Sequence, residues 1–470
     1  MSYVGPAPAS SVIGTTDIGD NVITSPKLAT TFFTGATDIG ANIADADLFL
    51  MDDGAGGTIR KSAASRIKTY AGTDLTDIAD GSASAPSIAN SGDTNTGVYF
   101  PAADTVGVVT GGTEQFRFGS NPIPGGGKNL VQNGAMTVNQ RGSVAVAADN
   151  TGTVDRYLAR LIGSGAGRFT VTQDTTVPSG EGFGYSLKVD ITTDDSSISG
   201  SEYYGIAHTI EAQNLQQLNF NNANAEALTL TFWARAKKAG LHGGAVYNND
   251  ANRSLVFSWT AVSDEWQKVT VPVPAETSAG TINNDTGAGL SIFWGLGAGA
   301  YLASDTDAWV AGAFLQVTSA VNDLDSTSND FYLTGVQLEI GSVATSFAHE
   351  DFGTTLQKCQ RYYERISYDS VADEIVTVSY LYSTSVNQGI AYYLEKRATP
   401  TITLTAGGTF KGRSGSSGFT AGTSNATGNV GKRSCLFQLT ASSAPWTVGQ
   451  GGDIRRDGTD VAYIEISAEL

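Results

Sequence analysis

Residues 228–235 read Leu-Thr-Leu-Thr-Phe-Trp-Ala-Arg, and apolar side chains occupy every second position of most of this run. Successive side chains of a β-strand point to opposite faces, so the alternation predicts a strand with one face in a core. The same alternation recurs at residues 269–273 and 336–340. Several such strands separated by polar loops predict an antiparallel β-sandwich of the jelly-roll type over residues 129–350.

The composition also indicates a mainly β protein. Charged residues make up 16% of the 470 residues, below the usual value of about 25%, and 56 residues are glycine. Helix-rich and coiled-coil classes are therefore disfavoured. Lys and Arg total 28 against 46 Asp and Glu, giving a formal net charge of −18, which argues against a nucleic acid as partner.

Charge and Pro/Gly content place the domain boundaries. Residues 129–350 carry 10 basic and 22 acidic side chains, whereas residues 351–470 carry 11 of each. A Pro-Ile-Pro-Gly-Gly-Gly hinge at 122–127 marks a second boundary. We therefore expect an elongated, modular chain of four regions, which are 1–80, 81–128, 129–350 and 351–470.

The first two regions contain only small elements. An Asp-Gly turn within residues 48–60 predicts a hairpin, and the stretch from Ser62 to Gly72 predicts a short helix. Residues 98–118 hold short alternating apolar pairs that predict a narrow β stem. So narrow a sheet buries little apolar surface within one chain, which favours an oligomeric stalk.

The last region is predicted to open with a helix and continue as a small β domain. Apolar side chains recur at helical spacing from Leu356 through Cys359 and Tyr363 to Ile366, which predicts an amphipathic connector helix. Strand patterns follow and continue to the Ala-Tyr-Ile-Glu-Ile-Ser-Ala run at residues 462–468. Whether Cys359 pairs with Cys435 stays open, because either could be a small buried side chain.

The N-terminus lacks the basic and apolar segments of a secretory signal, and no run of about 20 apolar residues follows. We therefore expect neither export by the general secretory route nor insertion into a membrane.

Five motifs resemble elements of the fibre, spike and decoration proteins of tailed bacteriophages. Residues 92–104 are similar to a short stem element of phage fibres, and the Asp45–Tyr70 module resembles virion-attachment pieces. Asn-Leu-Val-Gln-Asn-Gly-Ala-Met at 129–136 and Thr-Gly-Val-Gln-Leu-Glu-Ile-Gly at 334–341 resemble a jelly roll common in such proteins, whose fold is similar to carbohydrate-binding modules. Residues 356–365 resemble the segment that follows it.

The resemblance implies a homotrimeric virion surface protein, made in the bacterial host cytoplasm. Its expected partners are copies of itself, other virion proteins of the tail or capsid, and host-surface glycan. We expect a non-enzymatic tail fibre or spike. A capsid decoration (cement) protein and a glycan-cleaving tailspike remain alternatives. Phe32 and Phe33 lie in an apolar N-terminal stretch that cannot bury itself alone, so they are candidate virion-attachment residues.

Sugar binding requires an exposed aromatic ring flanked by polar groups. Tyr203, Tyr204 and Tyr301 adjoin Ser/Gly-rich stretches and are the predicted glycan-binding residues, because such stretches usually form exposed loops. Trp233 and Trp266 lie in or beside strand patterns and are expected in the core.

Acidic pairs could serve a metal or catalysis. Asp323, Asp325 and Asp330 are candidate ligands of Ca²⁺, which prefers carboxylate and carbonyl oxygens, and no other cofactor is expected. These carboxylates sit in polar stretches where solvated loop residues are the ordinary outcome, so no catalytic residue is assigned.

Overall fold

A computed structural model describes residues 42–52, 59–67, 78–118, 129–305, 307–368, 374–405, 409–415, 418–457 and 462–470. The chain divides into two compact units, Met1–Ser120 and Asn121–Leu470. Most described elements are β-strands in antiparallel sheets, so the mainly β fold is confirmed. The predicted attachment residues Phe32 and Phe33 and the hinge at 122–127 lie outside the described residues.

The first unit contains two small sheets. The predicted hairpin is confirmed as β1 and β2, and a helical turn follows at residues 64–67. The predicted stem is a four-stranded meander in the order β3, β4, β5, β6. The six strands are β1 Leu48–Asp52, β2 Ile59–Ala63, β3 Ile88–Asn90, β4 Asp93–Tyr99, β5 Val106–Thr110 and β6 Thr113–Phe118.

The second unit begins with the predicted β-sandwich, which comprises thirteen described strands. They are β7 Val144–Val146, β8 Thr151–Gly152, β9 Tyr157–Ile162, β10 Arg168–Asp174, β11 Ser186–Thr193, β12 Tyr203–Glu211, β13 Leu228–Ala236, β14 Gly240–Asn248, β15 Arg253–Ala261, β16 Gln267–Val273, β17 Ala288–Ala298, β18 Val310–Ala311 and β19 Asp330–Ile340. One sheet has the order β16-β13-β19-β11-β10-β7 and the other β18-β15-β14-β17-β12-β9-β8. Short 3-10 helices occupy Ala212–Leu218, Ala300–Leu302 and Asp323–Asp325.

The core lies between these two sheets. Phe232 and Trp294 are fully buried and meet edge to face, with ring centroids 5.8 Å apart. The expectation that Trp233 and Trp266 belong to the core is wrong, because both side chains are half-exposed. Phe232 already points inward from β13, so its neighbour Trp233 must point to the outer face of the same sheet.

Two further sheets follow a short helix, α1 Phe352–Gln360. Their strands are β20 Tyr363–Tyr368, β21 Glu374–Leu381, β22 Val386–Tyr392, β23 Thr401–Leu404, β24 Phe410–Ser414, β25 Thr420–Ala421, β26 Ser424–Gly428, β27 Ser434–Thr440, β28 Gly451–Arg456 and β29 Ala462–Ser467. Cys359 and Cys435 are both buried and free. None of the helices in the described ranges is long and apolar enough to cross a membrane.

The carboxylate of Glu469 joins these C-terminal sheets to the sandwich. Arg141 Nη2 lies 3.1 Å from Glu469 Oε1, and Arg156 Nη1 lies 2.5 Å from Glu469 Oε2. Arg156 is only 2% exposed and also donates to the Gln132 side chain and the Thr209 carbonyl. A buried guanidinium needs a counter-charge to offset its lost hydration. We call Glu469, Arg141 and Arg156 the arginine clamp.

Tyrosine rings complete the surroundings of the arginine clamp. The Arg156 guanidinium lies 3.3 Å from the ring centroid of Tyr362, and that of Arg141 lies 3.4 Å from the centroid of Tyr363.

The prediction that the connector helix extends to Ile366 is wrong in its second half. Tyr363 begins β20, which pairs with β29 from Tyr363 to Tyr368, so these residues are extended.

Glu469→Gln should lower the free energy of unfolding by about 3 kcal/mol, because the neutral amide leaves the buried Arg156 without its counter-charge. Unfolding in urea measures this loss of free energy, because urea is uncharged and does not screen the ion pairs. The control is Glu395→Gln, which removes an exposed pair with Arg433 and should leave the free energy of unfolding nearly unchanged. Equal losses in the two variants would contradict a stabilising role for the arginine clamp.

Candidate ligand-binding cleft

A cleft of about 240 Å³ lies on the outer face of the six-stranded sheet of the sandwich. Alternation along β13 places Thr231 and Trp233 on this face, and the register of β13 with β16 sets Lys268 opposite Trp233. Aromatic rings form much of its wall and are supplied by Phe183, Trp233, Phe347 and His349. Polar lining comes from Glu181, Thr231, Lys268, Thr345 and Ser346. We call this the aromatic cleft.

Three of the aromatic rings pack against one another at one side of the aromatic cleft. The Phe183 centroid lies 5.0 Å from that of Phe347 and 5.4 Å from that of His349. Phe347 and His349 are themselves 4.9 Å apart at 72°. Phe347 meets both of the other rings edge to face, and such contacts fix ring orientation. Phe347 remains half-exposed and His349 exposed, so both can meet a ligand.

Gly335 lets these rings approach Trp233. It adopts a φ of +61° at the point where the register of β13 and β19 shifts. A Cβ at this position would lie 2.6 Å from Cζ of Phe183 and 3.0 Å from Cδ1 of Trp233. Glycine both tolerates this backbone conformation and leaves the space that the two rings occupy.

Buried polar groups hold the segment that carries Phe347 and His349. Glu339 Oε1 accepts from the Thr345 amide at 2.9 Å, and its Oε2 accepts from the Thr345 hydroxyl at 2.6 Å. The Ala348 amide donates to Gln337 Oε1 at 2.8 Å. Gln337 and Glu339 are 0% and 3% exposed and bond to each other. Hydrogen bonds to a charged, buried carboxylate are strong, so the wall of the aromatic cleft is preorganised.

The chemistry of the aromatic cleft fits a hydroxylated ring. A half-exposed indole offers an apolar face to the C–H groups of a pyranose, while hydroxyl, carboxylate and ammonium groups at the rim can bond its hydroxyls. Among the described lining residues Glu181 is the one carboxylate, whereas glycoside hydrolysis ordinarily uses two.

Two of the three predicted glycan-binding tyrosines are not exposed, so that expectation is wrong. Tyr203 is 0% exposed because Phe293 and Leu315 cover it on the outer side of the seven-stranded sheet. Tyr204 is 2% exposed, and its hydroxyl donates to Asp195 Oδ2 at 2.8 Å. Both belong to β12, a central strand between β9 and β17 rather than a loop.

Tyr301 is 77% exposed, as expected, but it is not among the residues that line the aromatic cleft. It lies in the 3-10 helix next to Leu302, which packs with Tyr203 and Phe293 over the other sheet. The structure therefore does not bring Tyr301 together with Trp233.

Two of the three predicted Ca²⁺ ligands, Asp323 and Asp325, are directed to protein partners. Asp323 is 1% exposed and accepts from His242 Nε2 at 3.2 Å, while Asp325 pairs with Lys238. Burial raises the pKa of Asp323 despite the opposing effect of His242. Burial lowers the pKa of His242, but its bond to Asp323 more than offsets this and the pKa is raised. In the described part of the chain, no group of three or more His, Cys, Asp or Glu side chains could hold a metal ion, Asp330 included.

Sequence reasoning missed Trp233, Phe183, Phe347 and His349 as a group. The alternation along β13 could have identified Trp233 as an outward-facing residue. The inward-facing positions of this strand are already occupied by Leu228, Leu230, Phe232 and Ala234. Phe183 and Phe347 are 164 positions apart in sequence, so no local pattern could bring them together.

The chain is similar to several solved structures. A tailspike domain of bacteriophage CBA120, described as enzymatically active, matches with 11% identity over 46% of this chain and 22% of that chain, at a TM-score of 0.24. A family 11 carbohydrate-binding module from Clostridium thermocellum, complexed with a β-1,3-1,4-mixed-linked tetrasaccharide, matches with 12% identity. The match covers 43% of this chain and 98% of that chain, at a TM-score of 0.22. A xylan-binding domain from Paenibacillus barcinonensis matches with 10% identity over 46% of this chain and 97% of that chain, at a TM-score of 0.23.

The chain thus spans about a fifth of the length of the matched tailspike chain. No protein-family model and no curated protein sequence matches it.

Proposed function

We propose that this chain is a non-enzymatic, homotrimeric surface protein of a tailed bacteriophage that binds host-surface glycan. Its N-terminal region attaches it to the particle, as the resemblance of the Asp45–Tyr70 module implies. The observation that carries the binding role is the half-exposed indole of Trp233 in a preorganised aromatic cleft. Large apolar rings exposed beside fixed polar groups are typical of ligand sites rather than of inert surface.

The stem supports self-association. The register aligns Ile88, Val98, Val108 and Phe116 across all four strands, with Phe118 beside them on β6. Ile88, Phe116 and Phe118 are 49%, 66% and 63% exposed. On the opposite face of this sheet the side chains bond to one another, since Tyr99 and Arg117 both bond to Glu114. A second and a third copy of the chain would cover the apolar face, which we call the stem face.

Trimerisation would also strengthen weak glycan sites. Three aromatic clefts on one assembly make the second and third contacts intramolecular, which raises overall binding by about 10² to 10⁴. Individual sites therefore need no high affinity.

The surroundings of three acidic side chains of the sandwich, Asp195, Asp323 and Asp325, support a non-catalytic protein. Asp195 accepts from the Tyr204 hydroxyl, Asp323 bonds to His242, and Asp325 pairs with Lys238. These partners fix the carboxylates in the structure of the sandwich. Paired carboxylates that cleave a glycosidic bond must instead face the sugar from two sides.

Trp233→Ala should weaken glycan binding about tenfold or more, because the stacking face is removed. The measurement is binding of the full chain to a panel of immobilised bacterial surface polysaccharides, followed by calorimetry with the best binder. Tyr301→Ala is the matched control and should bind like wild type, since Tyr301 is exposed but outside the aromatic cleft.

Unchanged melting temperatures would establish that both variants are folded. Equal binding by wild type and Trp233→Ala would refute the assignment of the aromatic cleft. Absence of binding to every polysaccharide would refute the proposed function.

Replacing Phe116 and Phe118 together by Asp should dissociate the assembly, because two charges would enter the apolar stem face. Sedimentation at micromolar concentration should give close to three times 48.8 kDa for wild type and a smaller species for the variant. The control, Asn95→Asp, adds one charge to the opposite face of the stem sheet and should sediment like wild type. A monomeric wild type would contradict self-association.

A further inference from the structure

A second cleft, of about 180 Å³, adjoins the aromatic cleft and shares two of its residues, Phe347 and His349. Thr137 and Lys358 are among the residues that line it. We call it the polar cleft, because amide, hydroxyl and charged side chains line it alongside apolar ones. Phe347 and His349 thus line both clefts, and we call this shared wall the ridge.

The wall of the polar cleft is as firmly held as that of the aromatic cleft. The Asn129 side chain donates to the Val336 carbonyl at 2.9 Å and accepts from the Leu338 amide at 3.0 Å, so it is tied to β19. Asn133 is 4% exposed and bonds to both the amide and the carbonyl of Val138. These bonds occupy the Asn133 amide fully, so Asn133 holds the wall of the polar cleft in shape rather than bonding to a ligand.

Helix α1 closes the other side of the polar cleft. Asp351 caps the helix by accepting from the Thr354 amide at 3.2 Å. Glu350 accepts from the Thr355 hydroxyl at 3.0 Å and pairs with Lys358. The ridge segment and the helix are therefore joined by a network of side-chain contacts.

The charges in the two clefts balance. The aromatic cleft contains Glu181 and Lys268, and the polar cleft contains Glu350 and Lys358. One acid and one base in each give no net attraction for an anionic or a cationic ligand. A neutral, hydroxyl-rich ligand fits this arrangement, because hydroxyl groups can both donate to carboxylates and accept from ammonium groups.

Size favours one ligand that occupies both clefts. Neither cleft alone reaches the lower end of ordinary small-molecule sites, which is about 300 Å³, whereas the two together exceed it. The shared ridge offers an aromatic surface at the crossing point, where a sugar ring could rest on Phe347.

We infer that the two clefts are consecutive subsites for one neutral oligosaccharide, which stacks on Trp233, crosses the Phe347–His349 ridge and bonds to the polar groups beyond it. This inference rests on the proposed glycan-binding function. It specifies that the ligand is an extended chain of several uncharged sugars, recognised along its length rather than at a single terminal residue.

The test is calorimetry on the full chain with neutral oligosaccharides of one to six sugars. These are released by partial hydrolysis of the best-binding polysaccharide of the panel described above. Wild-type affinity should rise about tenfold or more from one sugar to four and then level off. It should change less than about twofold between low and high salt, because no net charge pairs with the ligand.

Ala135→Trp is designed to fill the polar cleft, which Ala135 lines, without touching Trp233. This variant should retain wild-type affinity for a single sugar and lose the gain with length. Ala223→Trp, at an exposed loop position of the sandwich, is the control for adding a bulky side chain and should behave like wild type.

Three results would overturn the inference while leaving the proposed function intact: affinity that is independent of length, a full length gain in Ala135→Trp, or a steep fall of affinity with salt. A panel without any binder would overturn the proposed function and the inference together.

Discussion

The buried charge of Arg156 is the constraint on which the second unit depends. The sandwich supplies Gln132 and the Thr209 carbonyl, which bond to this guanidinium without neutralising it. The counter-charge comes from Glu469, 313 positions away in sequence. Folding of the sandwich is thereby coupled to docking of the C-terminal sheets, because a buried cation without its carboxylate costs several kcal/mol. Arg397 adds to this by bonding to the Glu469 carbonyl and to the Thr286 carbonyl of the sandwich.

The same coupling stabilises the walls of the two clefts. The segment that carries Phe347 and His349 is fixed at one end by Gln337 and Glu339 on β19. At its other end it continues into α1, and Arg361 after the helix bonds to the buried Glu211 at 2.7 and 3.0 Å. A binding surface held at both ends loses little entropy when a ligand arrives. The walls of both clefts are therefore held in place before any ligand binds.

Local patterns predict the strands of this protein well and its buried surfaces less well. Alternation identified β13, β16, β19 and β29, because the period of two is set by the backbone itself. Tyr203 and Tyr204 were misplaced because their Ser/Gly-rich neighbourhood outweighed the pattern of β12. Helix α1 ends at Gln360, whereas the helical spacing predicts a helix as far as Ile366. Tyr362 and Tyr363 instead lie beneath two arginines, contacts that no helical periodicity can show. The clefts and the Glu469 contacts join distant residues and leave no local signal.

The most direct test of this account is a crystal structure of the full chain with the tightest-binding neutral oligosaccharide. We expect one pyranose ring stacked on the Trp233 indole, with the following sugars crossing Phe347 towards Asn129 and Lys358. Sugar bound elsewhere, for example beside Tyr301 over the seven-stranded sheet, with both clefts empty, would contradict it.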